Sequence, residues 1–132
     1  MSNLTLGNSL ILDTDTVVGG GEVKTGATYL GKPVFRRSFR YPSLTITTNS
    51  TIWDIDFGTT KIHRAWLGPG SYAIYKSGSR MYVGGYGYQD TQNFMSLRIS
   101  FEELATSLRL EYWTSYLNGA HEVLFNVEYI KG

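Results

Sequence analysis

Two histidines, His63 and His121, are the side chains with the most obvious catalytic potential, and the chain has no others. Catalysis by histidine needs a positioned nucleophile, carboxylate or metal, and neither residue lies in a sequence motif that supplies one. The chain also lacks cysteine, which excludes a thiol nucleophile and a thiolate zinc site. We therefore expect a protein that is not an enzyme and that needs no cofactor.

Two pairs of aspartates, Asp13 with Asp15 and Asp54 with Asp56, suggest a metal site or a hydrolase. Residues i and i+2 of a strand share a face, so each pair could bind a hard cation or serve a glycosidase. Neither pair continues into the D-x-D-x-D-G loop that makes calcium binding specific. A solvated strand face is the simpler interpretation, and we predict no metal site.

Aromatic side chains make up 14% of the residues, and ten of them are tyrosines. Tyrosine combines a flat apolar ring with a hydroxyl, which suits subunit interfaces and the apolar faces of sugars. Some of these rings must belong to the core, and a purely structural role for the set remains the alternative. We predict that one aromatic-rich segment carries a ligand surface, formed by Trp66, Tyr72, Tyr75, Tyr82, Tyr86 and Tyr88.

Glu22 to Tyr41 predicts a hairpin with a basic rim. Gly31-Lys32-Pro33 is a turn element that folds one short strand back on the next. Alternation along the second strand places Phe35, Arg37 and Phe39 toward a core. The opposite, outward face carries Val34, Arg36, Ser38 and Arg40. Arg36 and Arg40 therefore complete the predicted ligand surface.

The elements that must position these residues are almost all strands. Strand signals recur about every ten residues, the spacing expected of a sandwich or barrel. Helix is nearly absent, since Ser100 to Glu103 fits a capping box but supports one turn at most. Clean alternation marks Ile52–Phe57, Phe94–Phe101 and Leu108–Trp113. We predict an all-β fold, a single antiparallel β-sandwich of jelly-roll-like form.

The chain divides into an N-terminal arm, residues 1–21, and a sandwich domain, residues 22–132. Gly19-Gly20-Gly21 ends the arm and could act as a flexible joint. The arm could anchor the domain to a larger assembly or be exchanged between subunits, and it could equally be an edge strand of the same sandwich. The sequence leaves these alternatives open.

The net charge and the lengths of the apolar runs indicate which kinds of partner to expect. A net charge of +1 gives no reason to expect nucleic acid. No apolar run is long enough to predict insertion into a membrane. The first residues lack the basic and apolar regions of a signal peptide, so we expect synthesis and folding in a cytoplasm.

The hairpin also carries a family resemblance. Thr25-Gly26, Tyr29 and the run from Gly31 to Phe39, GKPVFRRSF, resemble the TG–W–DGKP–IY–RKTF signature of bacteriophage fibre domains. Asp54–Gly58 lies where that family has a strand ending in glycine, and Val123–Lys131 is similar to its final strand. Trp66 to Tyr88 departs from the pattern, because it is richer in aromatic residues and glycine. The resemblance covers about Glu22 to Gly132 and implies a β-sandwich, a homotrimer and a place in the virion.

The sequence thus predicts a virion fibre or spike domain, made in the bacterial host cytoplasm, that binds a host surface polysaccharide. Ring stacking, together with arginine contacts to acidic groups, would bind the glycan. The N-terminal arm would bind other virion proteins. The alternatives are a capsid or tail decoration or adaptor protein and a free-standing carbohydrate-binding module. A small glycan hydrolase using Asp54 or Asp56 is the least favoured.

Overall fold

The computed structural model describes residues 18–19, 21–76, 86–88 and 94–132, with only the backbone described at 18–19, 86–88 and 94. Regular structure in these residues is entirely β. The strands in chain order are β1 (Val18–Gly19), β2 (Val23–Tyr29), β3 (Lys32–Thr45), β4 (Ser50–Asp56), β5 (Ile62–Leu67), β6 (Tyr72–Tyr75), β7 (Tyr86–Tyr88), β8 (Phe94–Ser100), β9 (Ser107–Thr114) and β10 (Ala120–Lys131).

These strands form two antiparallel sheets packed as a β-sandwich, which confirms the predicted fold class. Sheet A has the order β1-β3-β10-β5, with β2 also pairing β3 and β6 also pairing β10. Sheet B has the order β4-β9-β8-β7. In chain order, β4 and β9, which pair in sheet B, lie between β3 and β10, which pair in sheet A. Such nested pairing is expected of a jelly-roll-like sandwich.

The core lies between the sheets and is rich in aromatic residues. Trp53 of β4 stacks on Tyr41 of β3, with ring centroids 4.2 Å apart, and meets Phe125 of β10 edge-on at 5.7 Å. Trp53 and Ile55 face this core while Asp54 and Asp56 are exposed, as the alternation of β4 predicts. The core side of sheet A is made by the odd-numbered residues from Phe35 to Tyr41 of β3 and from His121 to Tyr129 of β10. Their even-numbered neighbours point away from sheet B, and we call that surface the outer face of sheet A.

The β2–β3 hairpin forms where it was predicted, with its turn one position earlier. Tyr29 pairs with Lys32, so the two-residue loop is Leu30-Gly31, and Lys32 and Pro33 belong to β3. Both loop residues have positive φ, 52° at Leu30 and 74° at Gly31, as the tightest hairpin turns require. Leucine tolerates that conformation poorly, whereas glycine adopts it freely.

Strands β5 and β6 are two halves of one interrupted strand. Both pair antiparallel with β10, β5 along Val127–Lys131 and β6 along His121–Leu124. The predicted break at Gly68-Pro69-Gly70 does separate them, but the chain continues in the same direction afterwards. Residues 68–71 therefore form a bulge beside Asn126 rather than a reversing turn.

The end of the arm and the first residue of the domain are both attached to sheet A. Val18 and Gly19 pair with Arg40 and Phe39 at the edge of β3, so these two residues form an edge strand of sheet A. Glu22 then accepts hydrogen bonds from the Tyr129 hydroxyl at 2.6 Å and the Lys131 ammonium at 2.7 Å. The remaining residues of the arm, 1–17 with Asp13 and Asp15, lie outside the described part of the chain, as does Gly20.

Candidate functional site

Four of the predicted ligand residues meet on the outer face of sheet A: Arg36, Arg40, Trp66 and Tyr72. Trp66 is opposite Glu128 in the register of β5 with β10, and Arg36 is opposite the same glutamate from β3. Tyr72 and Arg40 flank Leu124 in the same way. Strand pairing thus collects on one surface side chains that lie as far as 36 positions apart in sequence.

This face is less exposed and less basic than the outward, basic rim predicted from the sequence. Val34 and Ser38 are buried, and so are Leu124 and Ile130 on the same side of β10. Arg36 and Arg40 are half-buried, with side chains 26% and 16% exposed. The reason is that β10 contributes carboxylates and apolar side chains to this face, and the long arginine and aromatic side chains lie among them.

Arg36, Trp66 and Glu128 form one group, which we call the tryptophan cluster. Trp66 donates from Nε1 to Glu128 Oε1 at 3.0 Å, while Arg36 Nε lies 3.7 Å from Glu128 Oε2. Gly68 lies directly against the glutamate, since a Cβ at that position would be 2.8 Å from Glu128 Cγ. The carboxylate is thus fixed between a ring, a guanidinium and the backbone of the bulge.

Arg40, Tyr72 and Glu122 form a second group of the same composition, the tyrosine cluster. The Tyr72 hydroxyl donates to Glu122 Oε2 at 2.5 Å, and Arg40 Nη2 and Nε lie 3.3 and 3.4 Å from the same oxygen. Burial, followed by the hydrogen bond to Glu122, raises the pKa of Tyr72. The hydroxyl therefore stays protonated and remains a donor at neutral pH.

A buried polar network separates the two clusters. Ser38 donates to Asn126 Oδ1 at 2.6 Å, and Asn126 Nδ2 donates to the Pro69 carbonyl at 2.9 Å. The backbone N–H of Asn126 donates to Ser71 Oγ at 3.0 Å, and the Ser71 hydroxyl donates to the Gly68 carbonyl at 2.9 Å. This network fixes the bulge to β10 and so determines where Trp66 and Tyr72 stand relative to each other.

The hairpin extends the tryptophan cluster with exposed apolar groups. Tyr29 meets Trp66 edge-on, with ring centroids 5.4 Å apart, and is 49% exposed. Leu30 at the tip of the hairpin is 58% exposed. Sequence reasoning missed Tyr29 as a site residue, and it also missed Glu122 and Glu128. Alternation along β10 could have indicated the glutamates, because they lie six positions apart on the face opposite Phe125 and Val127.

The other predicted aromatic residues lie elsewhere. Tyr75 belongs to the core side, where it stacks on Tyr116 at 4.8 Å and lies tilted against His121 at 5.0 Å, so its assignment to the ligand surface is corrected. Tyr72 and Tyr75 therefore occupy opposite faces. Tyr86 and Tyr88 lie in β7, opposite Ser96 and Phe94, and only their backbone is described. Tyr82 lies outside the described residues.

Each histidine contacts a side chain of the fold, His121 in the core and His63 nearer the surface. His121 is fully buried, and its Nδ1 lies 2.8 Å from the Tyr112 hydroxyl. Burial lowers the pKa of His121, which favours the neutral imidazole. His63 lies at the surface of β5, 3.1 Å from Glu103, which also pairs with Arg64 at 3.0 Å.

The second aspartate pair lies on the outer side of sheet B. Asp54 pairs with Arg109 at 3.0 Å, and Asp56 accepts the Gly58 amide at 2.8 Å. Asp54 also lines an open cavity of about 360 Å³ with Glu102, Phe101 and Arg109. Within the described ranges, no group of three His, Cys, Asp or Glu side chains is placed to hold a metal ion, and no helix could span a membrane.

Of these surfaces, the outer face of sheet A has the chemistry best suited to binding. It combines three partly exposed rings with two carboxylates that accept hydrogen bonds from ring donors and lie beside guanidiniums. Rings can stack on an apolar ligand face while fixed polar groups exchange hydrogen bonds with its hydroxyls. Comparison of the chain with protein-family models, curated proteins and solved structures finds no match.

Proposed function

We propose that this chain is a non-enzymatic domain of a bacteriophage fibre or spike, and that it attaches the virion to a glycan on the host surface. The observation that carries the proposal is the outer face of sheet A, where Tyr29, Trp66 and Tyr72 stand beside two oriented carboxylates. The rest of the proposal, the virion and the trimer, is supported by the sequence resemblance.

Sugar recognition needs these two kinds of group side by side. A pyranose ring has apolar C–H faces that stack on aromatic rings, and its edge carries hydroxyls that exchange hydrogen bonds with charged side chains. Trp66 and Tyr72 belong to strands paired with β10, and their polar tips are already hydrogen-bonded to glutamates. Little conformational freedom would be lost on binding, which favours affinity on a shallow surface.

Placement in a fibre is consistent with the way that the arm joins the domain. Val18–Gly19 and Glu22 are fixed to sheet A, so the domain holds the end of the arm at a defined edge. In this proposal the preceding residues hold other virion proteins, and three copies assemble with the glycan-binding faces toward the host.

A binding assay on purified glycans and on bacterial cells tests the proposal. Tyr29→Ala and Trp66→Ala should each weaken adsorption about tenfold or more, because a stacking anchor commonly contributes about 2 kcal/mol. Ile52→Ala is the matched control, since Ile52 is equally exposed, at 48%, on sheet B. Thermal melts accompany each variant, and Tyr29→Ala should melt within a few degrees of the parent.

Two results would count against the proposal. Unchanged adsorption of folded Tyr29→Ala and Trp66→Ala would move the ligand surface elsewhere, with Tyr86 and Tyr88 as the next residues to change. Release of reducing sugar from a glycan that binds would make the protein a hydrolase and direct attention to the cavity at Asp54 and Glu102.

A further inference from the structure

We infer that the glycan bound by the outer face of sheet A is an uncharged polysaccharide, contacted over several sugar units. This inference rests on the proposed function and names the ligand class for the same site. It reverses the expectation from sequence, which assigned Arg36 and Arg40 to the acidic groups of a sugar.

The charge balance of the two clusters carries the inference. Glu128 stands against Arg36, and Glu122 stands against Arg40, so each cluster has one positive and one negative side chain. The glutamate side chains are only 15% and 17% exposed, which strengthens the mutual attraction of each pair relative to a pair in water. An anionic sugar would have to compete with a fixed carboxylate for each guanidinium and would be repelled by it.

A hydroxyl-rich ligand meets no such conflict. Each carboxylate already accepts from a ring donor, Trp66 Nε1 or the Tyr72 hydroxyl, and a carboxylate has about four acceptor sites in all. Acceptor capacity therefore remains for sugar hydroxyls, and hydrogen bonds to a charged acceptor are stronger than those to a neutral one. The rings beside the carboxylates supply the stacking surface.

The spacing of the clusters indicates a polymer rather than a single sugar. Glu122 and Glu128 are six positions apart on β10, a separation of about 20 Å along a strand. The network of Ser38 and Asn126 fills the space between them. One sugar ring cannot reach both clusters, so binding both requires an extended chain of several units.

The experiment compares neutral and acidic glycans on one array, using glucans, mannans and galactans beside polyuronates and phosphorylated polysaccharides. Wild-type protein should bind one or more neutral members and no acidic member preferentially. Inhibition by fragments of the bound polymer should strengthen at least tenfold between the disaccharide and an oligomer long enough to span both clusters.

Glu128→Gln tests the charge balance directly. It keeps an oxygen that can accept from Trp66 Nε1 but leaves Arg36 without its carboxylate. We expect binding of the neutral glycan to fall about tenfold and a salt-sensitive retention on polyuronate resin to appear. Asp54→Asn is the matched control, because it makes the same charge change at the exposed Asp54–Arg109 pair on sheet B. It should leave the neutral binding unchanged and should not create retention.

The possible outcomes separate the inference from the proposed function. Preferential binding of an acidic glycan that is lost in Arg36→Gln would overturn the neutral-ligand inference and leave glycan attachment standing. Equal retention of Glu128→Gln and Asp54→Asn on the resin would also overturn it, because the carboxylate would then not be neutralising Arg36. Binding to no glycan in the panel, by a folded protein, would overturn the proposed function itself.

Discussion

Ser38 Oγ donates a hydrogen bond of 2.6 Å to Asn126 Oδ1 at the centre of sheet A, joining residues 88 positions apart. The bond lies midway between the tryptophan and tyrosine clusters and is buried. Through Asn126 it also holds the carbonyl of Pro69 in the bulge that separates β5 from β6. The geometry of the outer face of sheet A therefore depends on this buried polar contact.

Removal of that contact should destabilise the fold. Asn126→Ala leaves the Ser38 hydroxyl and the Pro69 carbonyl without their partner, and an unpaired buried polar group costs about 1–3 kcal/mol. Urea unfolding should show a loss of that size. Ser43→Ala, at an exposed position of β3, is the control and should change the free energy of unfolding by less than about 0.5 kcal/mol. Equal effects of the two changes would contradict the role of the network.

Replacement of Leu30 should stabilise the protein. Leu30 has φ of 52° and is mostly exposed, so it carries the strain of a left-handed conformation with little burial in return. Asparagine adopts this conformation readily, and Asn-Gly is the preferred pair for such a turn. Leu30→Asn should raise the free energy of unfolding by about 1 kcal/mol. Ile52→Asn, which exchanges a similarly exposed residue within a strand, should give no gain.

His121 should make the stability of the protein depend on pH. Burial lowers its pKa below the usual 6.5, so the unfolded chain binds the proton more readily than the folded protein. The contribution of neutral His121 to the free energy of unfolding is therefore fully present above pH 6.5. It is lost as the pH falls from 6.5 toward the folded pKa, by up to about 1.4 kcal/mol per pH unit. Urea unfolding at several values between pH 7.5 and 5.5 measures that slope.

Two histidine variants identify which group causes the pH dependence of the free energy of unfolding. His121→Phe should flatten it, whatever the variant's stability at pH 7.5, because the titrating group is gone. His63→Gln should retain it, since the buried imidazole remains. A wild-type slope in His121→Phe would assign the acid sensitivity to another group.

The parts of the fold that could be predicted from sequence are those set by local alternation. Trp53 and Ile55 are turned inward in β4, and Leu108, Leu110 and Tyr112 in β9, because a strand alternates its side chains whatever it pairs with. The odd spacing of Tyr72 and Tyr75 is compatible with the opposite faces that they occupy, although both were assigned to one ligand surface. The hairpin was predictable from glycine and proline, although only strand register reveals that Leu30-Gly31 forms the turn.

The candidate site needed information that no local pattern contains. Arg36 and Arg40 look like a basic rim in isolation, and only the pairing of β3 with β10 brings Glu128 and Glu122 against them. That pairing joins the two ends of the domain, and sequence alone does not specify it. Alternation likewise treats Val34 and Ser38 as outward residues, whereas both are buried in the folded chain, Ser38 against Asn126 of β10.

Deletion of residues 1–20 should leave a folded domain with a cooperative melt. The deletion removes the short pairing of Val18–Gly19 with β3 but keeps Glu22, which anchors the start of the domain to Tyr129 and Lys131. Loss of the folded state would instead make the leading segment an essential strand. Glu22→Ala in the full chain is the comparison, and we expect it to cost about 1–3 kcal/mol because the Tyr129 hydroxyl loses its acceptor.

The oligomeric state tests the fibre proposal independently of any ligand. Leu104, which lies outside the residues assigned to glycan binding, is a large apolar residue that a single copy leaves 48% exposed, and closed symmetric assembly is a common way to cover such a group. We expect a homotrimer at micromolar concentration, with a mass by light scattering near three times 14.8 kDa. A mass near 14.8 kDa would contradict the trimer. If such a monomer still bound a glycan through Tyr29 and Trp66, a free-standing carbohydrate-binding module would become the better description.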